Sequence, residues 1–225
     1  MTAWNGTLRK KMYNLVVVMV VSAAVLTPLA ATETAPNREY EIKAAFVYNF
    51  LKFVVGGRFG PVDDKDAPNA DPNSVIRVGV MGKLPWKEGF AELQGKLVHN
   101  RRMEVRFFQG FEDLKDSEQK IPAQHPQMGE IRKCHVLFLC PSEKAHLSRI
   151  LPLLQKDRIL LVGDTPGFLE AGVVINLVVE DKKVRFEINM AAARRAKLQI
   201  RSSLLRLAIR TIEHDQLEKD TDERK

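Results

Sequence analysis

Apolar positions along the chain alternate between helical stripes and short runs of strand length. Ile42, Ala45, Phe46, Asn49, Phe50 and Phe53 recur at helical spacing, with Asn37 as a candidate N-cap and an end before Gly56. Residues 60–74, rich in Pro, Asp and Asn, read as an exposed loop. "VIRVGVM" (75–81), "CHVLFLC" (134–140) and "RILLVG" (158–163) are near-continuous apolar runs, the pattern of strands covered on both faces. "RMEVRFF" alternates apolar and charged positions, which predicts a half-buried strand.

Between these strands, "PWKEGFAELQGK" reads as a short helix, and residues 109–131 as loop with one helical turn. Ser142 is placed to cap a helix burying Leu147, Ile150, Leu151 and Leu154, which Pro152 should kink or shorten. "VVINLVV" and "VRFEIN" flank "EDKK" and predict an antiparallel hairpin with a four-residue connection. A closing segment reads as helical to about His214, either continuous or broken near Lys197–Ile200 with Ser202 or Ser203 capping a new helix. The prediction is one α/β domain over 32–214, with a mixed sheet of five to six strands flanked by helices and a C-terminal hairpin followed by a helix. Residues 215–225 read as a flexible tail.

The N-terminus changes the setting of that domain. Arg9, Lys10 and Lys11 precede the uncharged run Leu15–Leu26, then small residues to Thr32, the layout of a secretory signal peptide over 1–31. Stretched from Met12 to Ala31, the run would just reach the about 20 residues of a spanning helix, so a retained anchor stays open. The chain has 35 Lys+Arg against 28 Asp+Glu, and cleavage at 31 removes three bases and no acid, leaving a formal excess of four. An exported chain with so mild an excess is not expected to bind nucleic acid. The two cysteines, Cys134 and Cys140, lie six residues apart in one strand, about 20 Å end to end. A bridge needs less than about 7 Å, so no bond between them is expected unless the chain folds back at Pro141.

Candidate chemistry is sparse. The five histidines have no metal-ligand spacing, no nucleophile motif occurs, and no catalytic set, metal or cofactor is expected. Asp164 in "VGDTPG" sits at a strand end, where open α/β sheets hold ligands, although turn formation alone explains the residues. Phe168 and Leu169 follow Gly167 in a turn-rich loop. They are either exposed, as an interface would need, or tucked over the sheet. In the closing segment Arg194, Arg195, Lys197, Arg201 and Arg206 edge two apolar faces, which points to a packing helix with a charged margin.

In order, "EYEIKAAFVYNFLKFV", "CHVLFL", "GDTPGFLEAGVVINLVVEDKKVRFEIN" and "AAARRAKLQIRSSLLRLA" resemble the YfiR-like family of exported bacterial proteins. The resemblance implies a non-enzymatic periplasmic α/β domain that dimerises. It also implies a partner: the periplasmic sensor part of an inner-membrane diguanylate cyclase, whose cyclic di-GMP synthesis is held down. By that resemblance Phe168, Glu180, Phe186 and Ser203 stand at partner-contact positions, with Leu169 beside them. The rival expectation is a periplasmic small-solute-binding domain with its ligand near Asp164.

Overall fold

The structure is a computed structural model that describes residues 35–60, 74–116, 118 and 120–214. The expected signal peptide and C-terminal tail lie outside the described residues. Among the described residues no helix is long and apolar enough to cross a membrane.

Five strands run parallel: β2 (Val75–Met81), β4 (Arg101–Phe108), β5 (Val136–Leu139), β6 (Leu160–Gly163) and β7 (Ile175–Glu180). The eight-stranded sheet is completed by β3 (Leu97–Val98), β8 (Lys183–Asn189) and β10 (Arg210–Ile212), in the spatial order β10-β8-β7-β6-β5-β2-β4-β3. Taken by themselves, the parallel strands follow the 2-1-3-4-5 winding of doubly wound sheets. All residues of β5 and β6 are buried, as their continuous apolar runs require. A separate antiparallel pair joins β1 (Val54–Gly56) to β9 (Leu198–Ile200).

Helices cover both faces. Helix α1 (Ala35–Phe53) lays Phe46 and Phe50 on Phe186 of β8, and Phe90 of α2 (Glu88–Ala91) packs on Phe138. The other face meets α3 (Met128–Ile131), α4 (Leu147–Leu154) and α5 (Phe168–Ala171). There, a Cβ on Gly79 would stand 2.9 Å from the side chains of Cys134, Leu137 and Phe108, so only glycine fits without a shift.

Four local expectations are corrected. Helix α1 begins before Asn37, and its buried stripe is Tyr40, Lys43, Ala44, Val47, Phe50 and Leu51, leaving Ile42 39% exposed. The sequence pattern pointed to the neighbouring stripe because a lysine interrupts the true one. Ser142 does not cap a helix: it lies in a 3₁₀ turn, Pro141–His146, that leads into α4, where Leu147, Ile150, Leu151 and Leu154 are buried as expected. The closing segment takes the broken alternative, but as α6 (Met190–Arg195), β9, α7 (Ser202–Leu205) and β10 rather than helix to His214. Lys197, at φ 54°, turns the chain out of α6 into β9, and Arg201 rather than a serine occupies the position before α7. The β7–β8 connection is shorter than expected, because Glu180 pairs with Lys183 and leaves a two-residue turn.

In that turn Asp181 and Lys182 both take left-handed backbone, at φ 49° and 60°. This is the type I′ geometry that prefers Asn-Gly, because a Cβ is penalised there. Asp181→Asn combined with Lys182→Gly is expected to raise stability by about 1 kcal/mol. Urea denaturation of the pair against the parent reads it.

Candidate functional site

The ends of the parallel strands, where a ligand crevice would open in this winding, are filled by the chain's own side chains. Asp164 follows β6 directly and its side chain is 0% exposed. Lys43 Nζ lies 2.7 Å from Asp164 Oδ2, and the Tyr40 hydroxyl donates to the same oxygen at 3.0 Å. Lys43 also pairs with Glu39 at 2.5 Å one turn back and sits 4.4 Å from the centre of the Tyr40 ring. Burial, followed by the Asp164 charge and hydrogen bond, pushes the Tyr40 phenol far above its ordinary range and keeps it a donor. The loop beyond is held as well: the Thr165 amide donates to Asn176 Oδ1 at 3.2 Å.

A second buried carboxylate plugs the neighbouring strand ends. Glu143, 0% exposed, accepts the Phe111 amide at 3.0 Å and the Ser142 hydroxyl at 2.8 Å. Ser142 Oγ in turn accepts the Lys83 amide at 2.9 Å. Space for Glu143 exists because Gly82 and Gly110 carry no side chain. A Cβ on Gly82 would stand 2.5 Å from Ser142 Oγ and 2.6 Å from Glu143 Oε1, and one on Gly110 would overlap the same carboxylate. These residues tie together the chain after β2, β4 and β5, where the winding reverses direction.

The "GDTPGFLEAG" segment is packed rather than presented. Phe168 and Leu169 are both 0% exposed, so of the two readings the loop takes the one tucked over the sheet. The Phe168 ring lies where a Cβ of Gly163 would be, so the glycine and the phenylalanine five residues on form one interlock. Gly167 and Gly172, at φ 91° and 116°, bracket the single turn of α5. Asn189 donates to the Leu169 carbonyl at 2.8 Å and accepts the Ala192 amide, capping α6. Phe186 is buried under α1 on the opposite face of the sheet, since its neighbour Leu177 alternates with Asn176, the register partner of Gly163. Glu180 is exposed at the end of β7, 3.8 Å from Arg185 and next to Val179, itself 49% exposed. Ser203 is half-buried in α7. The sequence-derived residues therefore do not form one surface.

A third polar cluster, unmarked by any sequence motif, lies where β2, β4 and β5 begin. His135 is 8% exposed; its Nδ1 accepts the Arg77 amide at 3.1 Å and its Nε2 lies 2.9 Å from Arg101 Nη2. Burial, and then the charges of Arg101, Arg58 and Arg77, pull its pKa down to about 4. Cys134 and Cys140 are buried free thiols, and burial pushes Cys134 up to about 12, so neither is a reactive thiolate. Among the described residues no group of three or more His, Cys, Asp or Glu could hold a metal ion.

Two outcomes follow from these geometries. Lys43→Met or Asp164→Asn alone strands a polar or charged partner in the interior and is expected to cost about 3–5 kcal/mol. Lys43→Met with Asp164→Asn should cost less than the sum of the singles, a coupling that a double-mutant cycle measures. For His135, the folded pKa lies below the unfolded value of 6.5, so its contribution is complete above pH 6.5 and is lost as pH falls toward 4. Stability should drop on the order of 3 kcal/mol across that window. Denaturation at pH 7, 5 and 4 should show the slope in the parent and a flatter one in His135→Gln.

A solved structure of a conserved domain protein from Vibrio cholerae O1 biovar El Tor matches with a TM-score of 0.50 at 13% identity, covering 77% of this chain and 60% of that one. A Streptococcus pneumoniae ABC domain in complex with L-Trp matches at 11% identity with a TM-score of 0.45, covering 61% and 55%. This chain thus spans less than two thirds of either, and at such identity the first likeness concerns the fold alone. No curated protein matches. The family model described as YfiR/HmsC-like matches residues 40–209, from the Tyr40 that reaches Asp164 to the residue preceding β10. By that match the chain belongs to the YfiR/HmsC-like family.

Proposed function

We propose that this protein is a periplasmic negative regulator that binds the periplasmic sensor domain of an inner-membrane diguanylate cyclase and represses cyclic di-GMP synthesis. The observation that carries this reading is the family match over residues 40–209. The N-terminal layout of Arg9–Lys11 and Leu15–Leu26 supports export to the compartment where that partner is reached. The site geometry agrees with a protein that works through its surface. Asp164 and Glu143, the carboxylates a solute would have met, have acceptor positions engaged by Lys43, Tyr40, Phe111 and Ser142. A small-solute ligand at Asp164 would have to displace a buried lysine.

Within this reading the residues act in two ways. Glu180, beside exposed Val179, is the one that meets the partner directly. Phe186 supports the hairpin from beneath through its ring contacts at 5.9 and 5.1 Å with Phe46 and Phe50. Phe168 and Leu169 hold the preceding loop, and Ser203 borders the same end of the chain. A second copy of the chain completes the repressing unit as a homodimer.

Deleting the gene is expected to raise cellular cyclic di-GMP, and the wild-type chain should capture a cyclase from solubilised inner membrane. Glu180→Lys, an exposed change with little effect on folding, should lose capture and fail to complement the deletion. Unchanged cyclic di-GMP on deletion, with no cyclase captured, would sink the proposal.

A further inference from the structure

The edge where β2, β4 and β5 begin contains donors without acceptors. The Arg77 amide is a fixed donor pointing at His135 Nδ1, at 3.1 Å, so that nitrogen presents its lone pair. Near neutral pH the ring is uncharged, so its one proton sits on Nε2. That N–H then faces Arg101 Nη2 at 2.9 Å, and guanidinium nitrogens only donate. Two donors confront each other at hydrogen-bond distance.

Arg101 is short of acceptors in another respect. Its Nη2 donates to the Val75 carbonyl at 3.2 Å, while its Nε is buried with no hydrogen-bond partner. Among the described residues no carboxylate forms an ion pair with it. Neighbouring charge does not compensate. Arg77 shares Glu104 with Arg106, and Arg58 donates from Nε to the Asp157 carbonyl. Arg101 as a whole is half-buried, although its Nε is not exposed. Unpaired donors in a positive field favour an acceptor with negative charge over a neutral one.

We propose that Arg101 and the Nε2–H of His135 are the donor pair of a binding site for a small oxoanion, a carboxylate or a phosphate group. One oxygen beside the His135–Arg101 contact accepts from both nitrogens, which turns the confrontation into a bridge. A second oxygen takes a further guanidinium N–H in the forked geometry that arginine offers to such groups. Phe59, with its ring centre 5.8 Å from that of His135, supplies an apolar wall. The site is at the opposite end of the strands from Asp164 and Glu143, and it is independent of the proposed repression.

The test is NMR of the imidazole nitrogens in the ¹⁵N-labelled full chain at pH 7, titrated with inorganic phosphate or with acetate at constant ionic strength set by chloride. The expected result is a saturable shift of the His135 Nε2 signal. His125, whose Nε2 meets the Gln109 carbonyl after the far end of β4, should stay unmoved. Saturation by phosphate at lower concentration assigns the site to phosphate groups, and saturation by acetate assigns it to carboxylates. Arg101→Gln should abolish the shift while the His125 signal keeps its folded position. Should that variant not fold, Arg101→Lys, which keeps the charge without the fork, should weaken binding at least tenfold. No shift with either anion overturns the proposal, as does a shift that survives the loss of Arg101.

Discussion

The buried contact between Lys43 and Asp164 constrains more of this molecule than any other single interaction. A lysine in the middle of an apolar stripe can be buried only against an opposite charge, and that charge stands at the end of β6. The pair fixes the rotation of α1, because turning the helix toward its more apolar neighbouring stripe would strand both ions. It fixes the height of the helix on the sheet as well, since Tyr40 must reach the same oxygen one turn earlier. Desolvation offsets much of what such a pair contributes to stability, so its value here lies in selecting one arrangement of helix on sheet. Phe46 and Phe50 meet Phe186 as a consequence of that arrangement.

The same constraint decides what the strand ends can do. Parallel sheets of this winding leave a crevice where strand order reverses, and enzymes and receptors of the class use it. Here Glu143 enters that place, made possible by glycines at 82 and 110, while Lys43 and Tyr40 close the adjoining end at Asp164. The short loops after β2, β4 and β5 are thereby joined through polar contacts, and the loop after β6 is fixed to α1. Networks of this kind are rigid when every member is satisfied, and rigidity suits a scaffold whose outer surface recognises another protein.

Legibility in the sequence followed the physics of each segment. The buried strands announced themselves because strands covered on both faces leave little room for polar residues, and "VLFL" and "LLVG" have none. The α1 stripe was misjudged because hydrophobic periodicity treats every lysine as exposed, and Lys43 has its partner 121 residues away. Phe168 looked available because turn-forming neighbours suggest an open loop. Nothing local shows that Gly163 lacks a side chain in order to receive that ring. The Arg101–His135 cluster left no pattern at all, since it joins the starts of strands that are distant in sequence and adjacent only in the sheet. Of the candidate positions, Asp164 was found by its place at a strand end, while Glu143, in an ordinary-looking "PSEKAH", was not.

The basic closing segment shows how charge in a sequence differs from charge on a surface. Read as one helix, its arginines suggested a cationic margin. Broken into α6, β9, α7 and β10, it returns the chain to the sheet and brings acids to two of its arginines. Arg194 meets Glu213 at 2.6 Å, and Arg210 bridges Glu187 and Glu170 at 2.6 Å each, so β10 is fastened to β8 and α5 by charge as well as by backbone bonds. Pairs this exposed contribute little to stability, and they offset the charge of Arg194 and Arg210 alone. Outward stand Leu207 at 67% and Ile209 at 37% exposure, near the end of the family match, together with exposed Lys197, Arg201 and Arg206. Open aliphatic side chains beside charged ones are a mixture that protein interfaces also use.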